Sequence, residues 1–172
     1  MFILLLGLLF SPNPSAQAMP AQVVIIRHGE KPAAGDDLSP KGQYRAQQLV
    51  EYLSSNELIT KNGRIHAIYS TAPSHQGGSH LSIETVKPFS EASNVAIEHD
   101  YDKDQEDDLV KEIMQDRSNG GKTVLICFLH GGIPEIAKDF GIANPPHWED
   151  SVYDRTWIID LQKSTPQLMV IA

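Results

Sequence analysis

Two short segments carry the residues best suited to chemistry. Val23-Val24-Ile25-Ile26 runs into Arg27-His28-Gly29-Glu30-Lys31, and Val124-Leu125-Ile126-Cys127-Phe128-Leu129 runs into His130-Gly131-Gly132. Each begins as a run of apolar residues that reads as a strand buried on both faces. Each then stops at His-Gly. A cation, an imidazole and a glycine at the end of a buried strand is where an α/β protein holds an anion. One such tripeptide is a weak signal. Two of the same form, about a hundred residues apart, make a constellation.

The rest of the chain supplies elements that would position these two ends. Lys31 to Asp37 is a polar Pro/Gly loop. Ser39-Pro40 opens a helix, with Ser as N-cap and Pro in the first turn. Ala46, Leu49, Val50 and Leu53 give that helix one apolar stripe. Ile65 to Ser70 reads as a second strand and Asn94 to Glu98 as a third. Between them, Gly77-Gly78 mark a flexible loop, and Ser79 or Ser82 would cap a helix containing Ile83, Thr85 and Val86. The acids from Asp100 to Asp108 precede a helix running to about Arg117, where they favour its N-terminal dipole. Their D-x-D-x-D spacing is not an EF-hand, because Gln105 and Lys111 stand where Gly and Glu are required. Ile133 to Gly141 is a further helix, opened by Pro134. Val152–Leu161 and Gln167–Ile171 form a C-terminal β-hairpin. This alternation predicts an α/β fold, a three-layer α/β/α sandwich around a mostly parallel sheet, with both His-Gly strands side by side at its centre.

The two His-Gly units resemble the histidine phosphatase superfamily, the phosphoglycerate mutase-like proteins. Leu38-Ser39-Pro40-Lys41-Gly42-Gln43-Tyr44-Arg45-Ala46 is similar to its "L-[ST]-x-x-G-x-x-R-A" segment, and Glu84-Thr85 matches the end of its "S-S-x-x-x-R-A-x-E-T". The resemblance implies that His28 is the nucleophile that takes a phosphoryl group, with His130 beside it and no metal or other cofactor. Phosphoryl transfer needs a nucleophile in line with the leaving oxygen and positive charge around the equatorial oxygens. A neutral His28 offers the lone pair, its tautomer fixed by a hydrogen bond from the other ring nitrogen. Arg27 presents a planar fork suited to phosphate, and a protonated His130 would add a second cation. Gly29, Ser70, His80 and Gly131 complete the expected phosphate-binding set, with backbone N–H groups at Gly29 and at the start of the Ile133 helix as further donors.

The proton donor for the leaving group would come from the segment after the third strand. Glu98, Asp100, Asp102 and Asp104 all lie there, and Asp100 is taken as the candidate. Some compact members of the superfamily lack this acid and act on better leaving groups such as phosphohistidine. One departure stands out: Leu81 occupies the position of the family's phosphate-gripping arginine. Losing such a contact costs about 2–4 kcal/mol in the transition state. His80, Lys87 and Arg155 are the candidates to fill the gap. Without compensation, the alternative reading is a non-catalytic or very slow phospho-ligand-binding relative of the same fold.

The 172 residues suffice for one domain. A net charge of −8 with no basic patch argues against a nucleic-acid partner. Phe2 to Phe10 is an apolar run too short to span a bilayer. The A-x-A pattern Ala16-Gln17-Ala18 follows it, so residues 1–18 read as a signal peptide and 19–172 as the catalytic domain. No Lys or Arg precedes that run, and an uncleaved anchor is the competing reading. The expectation is a periplasmic or secreted monomer acting on a phosphorylated small molecule or phosphoprotein, with no membrane span after cleavage. Cys127, the single cysteine, excludes an internal disulfide and reads as core packing.

Overall fold

The computed structural model describes residues 19–73 and 80–172. The expected signal peptide, His75, the Gly77-Gly78 loop and Ser79 lie outside the described residues.

Every residue of β1 (Gln22–Arg27) and of β4 (Thr123–Phe128) is buried. Those runs of Val, Ile and Leu have no solvent face, so each strand needs cover on both sides. Six strands form one sheet in the order β3-β2-β4-β1-β5-β6. β1 and β4 pair in parallel at its centre, Ile25 opposite Ile126 and Arg27 opposite Phe128. β2 (Ile65–Thr71) continues the parallel set beyond β4, and β3 (Ile97–Tyr101) closes that edge. β5 (Thr156–Asp160) runs antiparallel to β1 and forms the hairpin with β6 (Gln167–Ile171).

Helices cover both faces. α1 (Pro40–Ser55), the short α2 (Glu57–Thr60) and α3 (Leu81–Ser93) lie on one side, over Val24, Ile26, Leu125 and Cys127. α4 (Glu106–Gln115) and α5 (Ile133–Asp139) pack on the other with Trp148 and Trp157, over Val23, Ile25, Val124, Ile126 and Phe128. The strand residues thus divide between two cores by the two-residue period of the pleat. The result is the three-layer sandwich. Burial drives the Cys127 thiol pKa far upward, consistent with inert packing.

Some boundaries differ from the sequence expectation by more than a residue or two, or for a reason that bears on the site. β3 begins at Ile97 rather than Asn94, because Asn94 takes the left-handed conformation (φ 56°) that ends α3. Ser82 does not cap α3; His80 holds that position, and the Ser82 hydroxyl lies 2.8 Å from Thr71 Oγ1 inside the fold. β5 starts at Thr156 instead of Val152, since residues 150–153 are turned toward Arg27 and His130.

Candidate active site

β1 ends at Arg27 and β4 at Phe128, so parallel pairing delivers His28 and the 129–132 turn to the same edge of the sheet. The His28 N–H donates to Phe128 O at 3.2 Å, extending the ladder one residue past the strand. His28 is only 7% exposed. Its Nδ1 lies 2.8 Å from Gly29 O, which fixes Nδ1 as the protonated nitrogen and leaves the Nε2 lone pair free. Burial lowers its pKa, and the charges of Arg27 and Lys31 add to the effect against the opposing pull of Gly29 O. A neutral, oriented nucleophile is the outcome.

The turn carrying His28 is held from three directions. The Gly29 N–H donates to Thr85 Oγ1 at 2.7 Å, and that hydroxyl donates to Leu81 O at 2.6 Å. The Glu84 carboxylate accepts the Leu38 N–H at 2.8 Å. Glu84-Thr85 therefore sews α3 to the 29–38 loop. This revises one expectation: the Gly29 N–H is spent on Thr85 rather than offered to an anion. Below the turn, Glu30 receives the Arg45 guanidinium on both oxygens (3.0 and 2.7 Å) and Lys41 at 3.2 Å. The Arg45 hydrogen bonds bring the Glu30 pKa down to about 2. Arg45 is a brace for the nucleophile's loop. Gly42 is the reason the loop can lie so close to α1: a Cβ there would collide with Glu30 O and stand 2.9 Å from Glu30 N.

Arg27 is 3% exposed and heavily engaged. Its Nη1 donates to Asp150 O at 2.7 Å and Val152 O at 3.0 Å, its Nη2 lies 3.3 Å from His130 Nδ1, and its guanidinium stacks 3.7 Å above the Tyr153 ring. A guanidinium only donates, so His130 Nδ1 is the acceptor. His130 Nε2 then carries the proton it gives to Asp150 Oδ1 at 2.8 Å. In this arrangement His130 is a neutral ring with both nitrogens occupied, rather than the second cation expected. Tyr153 also meets the His28 ring edge-on at 6.1 Å.

The remaining candidates divide. Gly131 is exposed beside His130, with open space where a Cβ would project. Ser70 is 1% exposed at the end of β2, its hydroxyl 3.4 Å from Thr71 O. His80 is exposed at the start of α3. Leu81 is packed with Leu38 and Ala46, so the arginine position has been absorbed into an apolar cluster. Lys87 is exposed, 4.0 Å from Glu91. Arg155 lies 5.7 Å from the Trp148 ring and lines a small cavity with Arg27 and Arg45; it forms no ion pair with Asp154 among the described residues. Asp100 is exposed on the edge strand β3, three strand spacings or about 14 Å from β1.

Glu106 is an acid that the sequence reading passed over. A Cβ at Gly132 would stand 2.6 Å from Glu106 Oε1, so the carboxyl lies directly against the turn that follows His130. Burial raises its pKa, and the neighbouring charges of Asp104, Asp139 and Glu135 raise it further. A signal was present: Glu106, Leu109, Val110 and Ile113 share the i, i+3, i+4, i+7 stripe of α4. Asp107 and Asp108 lie off that stripe and pair with Lys111 in solvent.

No protein-family model matches this chain, and neither does any curated protein. Solved structures do. The mycobacterial glucosyl-3-phosphoglycerate phosphatase is 11% identical with a TM-score of 0.55, covering 88% of this chain and 97% of its own. Phosphoglycerate mutase from Bacillus anthracis is 14% identical with a TM-score of 0.53, covering 91% and 94%. A protein described as the phosphohistidine phosphatase SixA, from Agrobacterium tumefaciens, is 13% identical with a TM-score of 0.52, covering 90% and 99%. At this level of identity the likeness establishes architecture alone: the chain has a phosphoglycerate mutase-like fold.

Proposed function

We propose that the chain is a phosphatase that hydrolyses phosphomonoesters or phosphohistidine through a covalent phosphohistidine on His28. The observation that carries this reading is the His28 ring itself: buried, its pKa lowered by that burial, its Nδ1 tied to Gly29 O and its Nε2 free. Nε2 attacks phosphorus, the P–O bond to the leaving group breaks, and water later cleaves the P–N bond to release phosphate. Arg27 and His130, hydrogen-bonded to each other at the ends of the two central strands, supply donors for the phosphoryl oxygens. Glu106, whose pKa burial raises beside Gly132, gives its proton to the departing oxygen. Residues 1–18 direct export to the periplasm or beyond. That part is tested by N-terminal sequencing of the protein recovered outside the cytoplasm: a chain beginning at Met1 would contradict it.

A second reading keeps the fold without turnover. It is favoured by Leu81 in its apolar cluster and by the engagement of Arg27 and His130 with residues 150–153. One experiment separates the two. Purified protein and His28→Ala are assayed with p-nitrophenyl phosphate between pH 5 and 8. Turnover abolished by the substitution supports the phosphatase. Phosphate or vanadate binding without turnover supports the binder.

A further inference from the structure

The segment from Trp148 to Asp154 is built as a strap over the site. Its base is rigid: Trp148 is fully buried, stacks 5.4 Å from Trp157, and donates Nε1–H to Val152 O at 2.9 Å. The Val152 N–H closes the turn onto Glu149 O at 3.0 Å. From that base the strap lays three groups on the two central strand ends. The carbonyls of Asp150 and Val152 accept from Arg27 Nη1, the Tyr153 ring lies under the Arg27 guanidinium, and Asp150 Oδ1 accepts the hydrogen bond from His130 Nε2–H.

We infer that Asp150 is a resident anion that competes with the phosphoryl group, and that ligands reach His130 by displacing its carboxylate. The inference rests on the phosphoryl-binding role of this site. His130 has no other open ring nitrogen, because Nδ1 accepts from Arg27. Any phosphoryl oxygen bound by His130 must therefore take the Nε2–H from Asp150. A carboxylate left in place would also repel a dianion at contact distance. The exchange is easy at this position: the Asp150 side chain is 84% exposed, so water competes for the hydrogen bond from His130. The tip of the strap can swing into solvent while Trp148 keeps its base seated.

The test uses orthovanadate, a phosphate analogue, with the full chain and its Asp150→Ala and Asp150→Asn variants. Calorimetry should show Asp150→Ala binding vanadate about tenfold more tightly than wild type, from one lost competitor and one lost repulsion. Asp150→Asn should fall between, because its amide oxygen still accepts from Nε2 while the charge is gone. Equal affinity in all three proteins overturns the inference. So does weaker binding in Asp150→Ala that Asp150→Asn restores, since that pattern makes Asp150 a positioning partner of His130. Vanadate affinity gained by Asp150→Ala with no turnover in any protein would support the strap and sink the phosphatase. His28-dependent turnover with unchanged affinity would do the reverse, and no vanadate binding by any of the three overturns both.

Discussion

The brace under His28 makes a quantitative prediction. In the folded chain Glu30 titrates at about 2 instead of 4.5, because the Arg45 and Lys41 hydrogen bonds stabilise its charged form by more than burial opposes it. A folded-state pKa below the unfolded one means stability that is fully present above 4.5 and is lost as pH falls through about 2. The displacement corresponds to about 3 kcal/mol at pH 7, taking about 1.4 kcal/mol for each pH unit. Glu30→Gln should therefore lower the melting temperature at pH 7 by about 6–12 °C, at ~2–4 °C per kcal/mol for a domain of this size. The amide retains one acceptor for Arg45, which places the result toward the lower end. Thermal unfolding followed by circular dichroism at steps from pH 7 to pH 2 is the assay. The gap between the two proteins should narrow as wild-type Glu30 gains its proton. A deficit of equal size at pH 2 and pH 7, or no deficit at pH 7, would refute the reasoning.

Other expectations follow from neighbouring contacts. Gly42→Ala should destabilise by at least ~1–3 kcal/mol in urea unfolding, because its Cβ has no room against Glu30 O. Thr85→Val should cost about 1–3 kcal/mol by orphaning the buried Gly29 N–H, and should slow turnover more than Thr85→Ser, which keeps the hydroxyl. In kcat/KM against pH, the acid limb should lie below the ordinary histidine value of 6.5, since His28 acts neutral. The alkaline limb should follow loss of the Glu106 proton at a value above 4.5. An acid limb at or above 6.5 would contradict the His28 assignment. Glu106→Gln should abolish that alkaline limb and lower kcat on alkyl phosphates by ~10²-fold or more, with p-nitrophenyl phosphate much less affected.

The parts of this molecule that are legible in the sequence are those decided by local pattern. β1 and β4 each carry an uninterrupted apolar run, Val23–Ile26 and Val124–Phe128, and their pairing at the sheet centre follows from the burial such runs demand. Ser39-Pro40 starts α1 as read: the Ser39 hydroxyl accepts the Gly42 N–H at 3.1 Å. β3 was misplaced because it is a half-exposed edge strand, Ile-Glu-His-Asp-Tyr, with little apolar signal. Asp100 looked as good an acid as its neighbours because nothing local separates them. What singles out Glu106 is the stripe it shares with Leu109 and the glycine it touches from another element. The end of the strap, from Val152, was read as strand for a related reason. Its bonds run from Arg27 to backbone carbonyls more than 120 residues away, and a carbonyl acceptor has no sequence signature.

The central claim is that His28 carries the phosphoryl group, and the most direct measurement is to trap it there. Protein turning over a phosphomonoester is quenched with base, in which a phosphorus–nitrogen bond survives, then digested and examined by mass spectrometry. The account predicts one phosphoryl group on the peptide containing His28, lost on brief exposure to acid and absent from His28→Ala. Turnover with the phosphoryl group on any other residue, or undiminished turnover in His28→Ala, would contradict it.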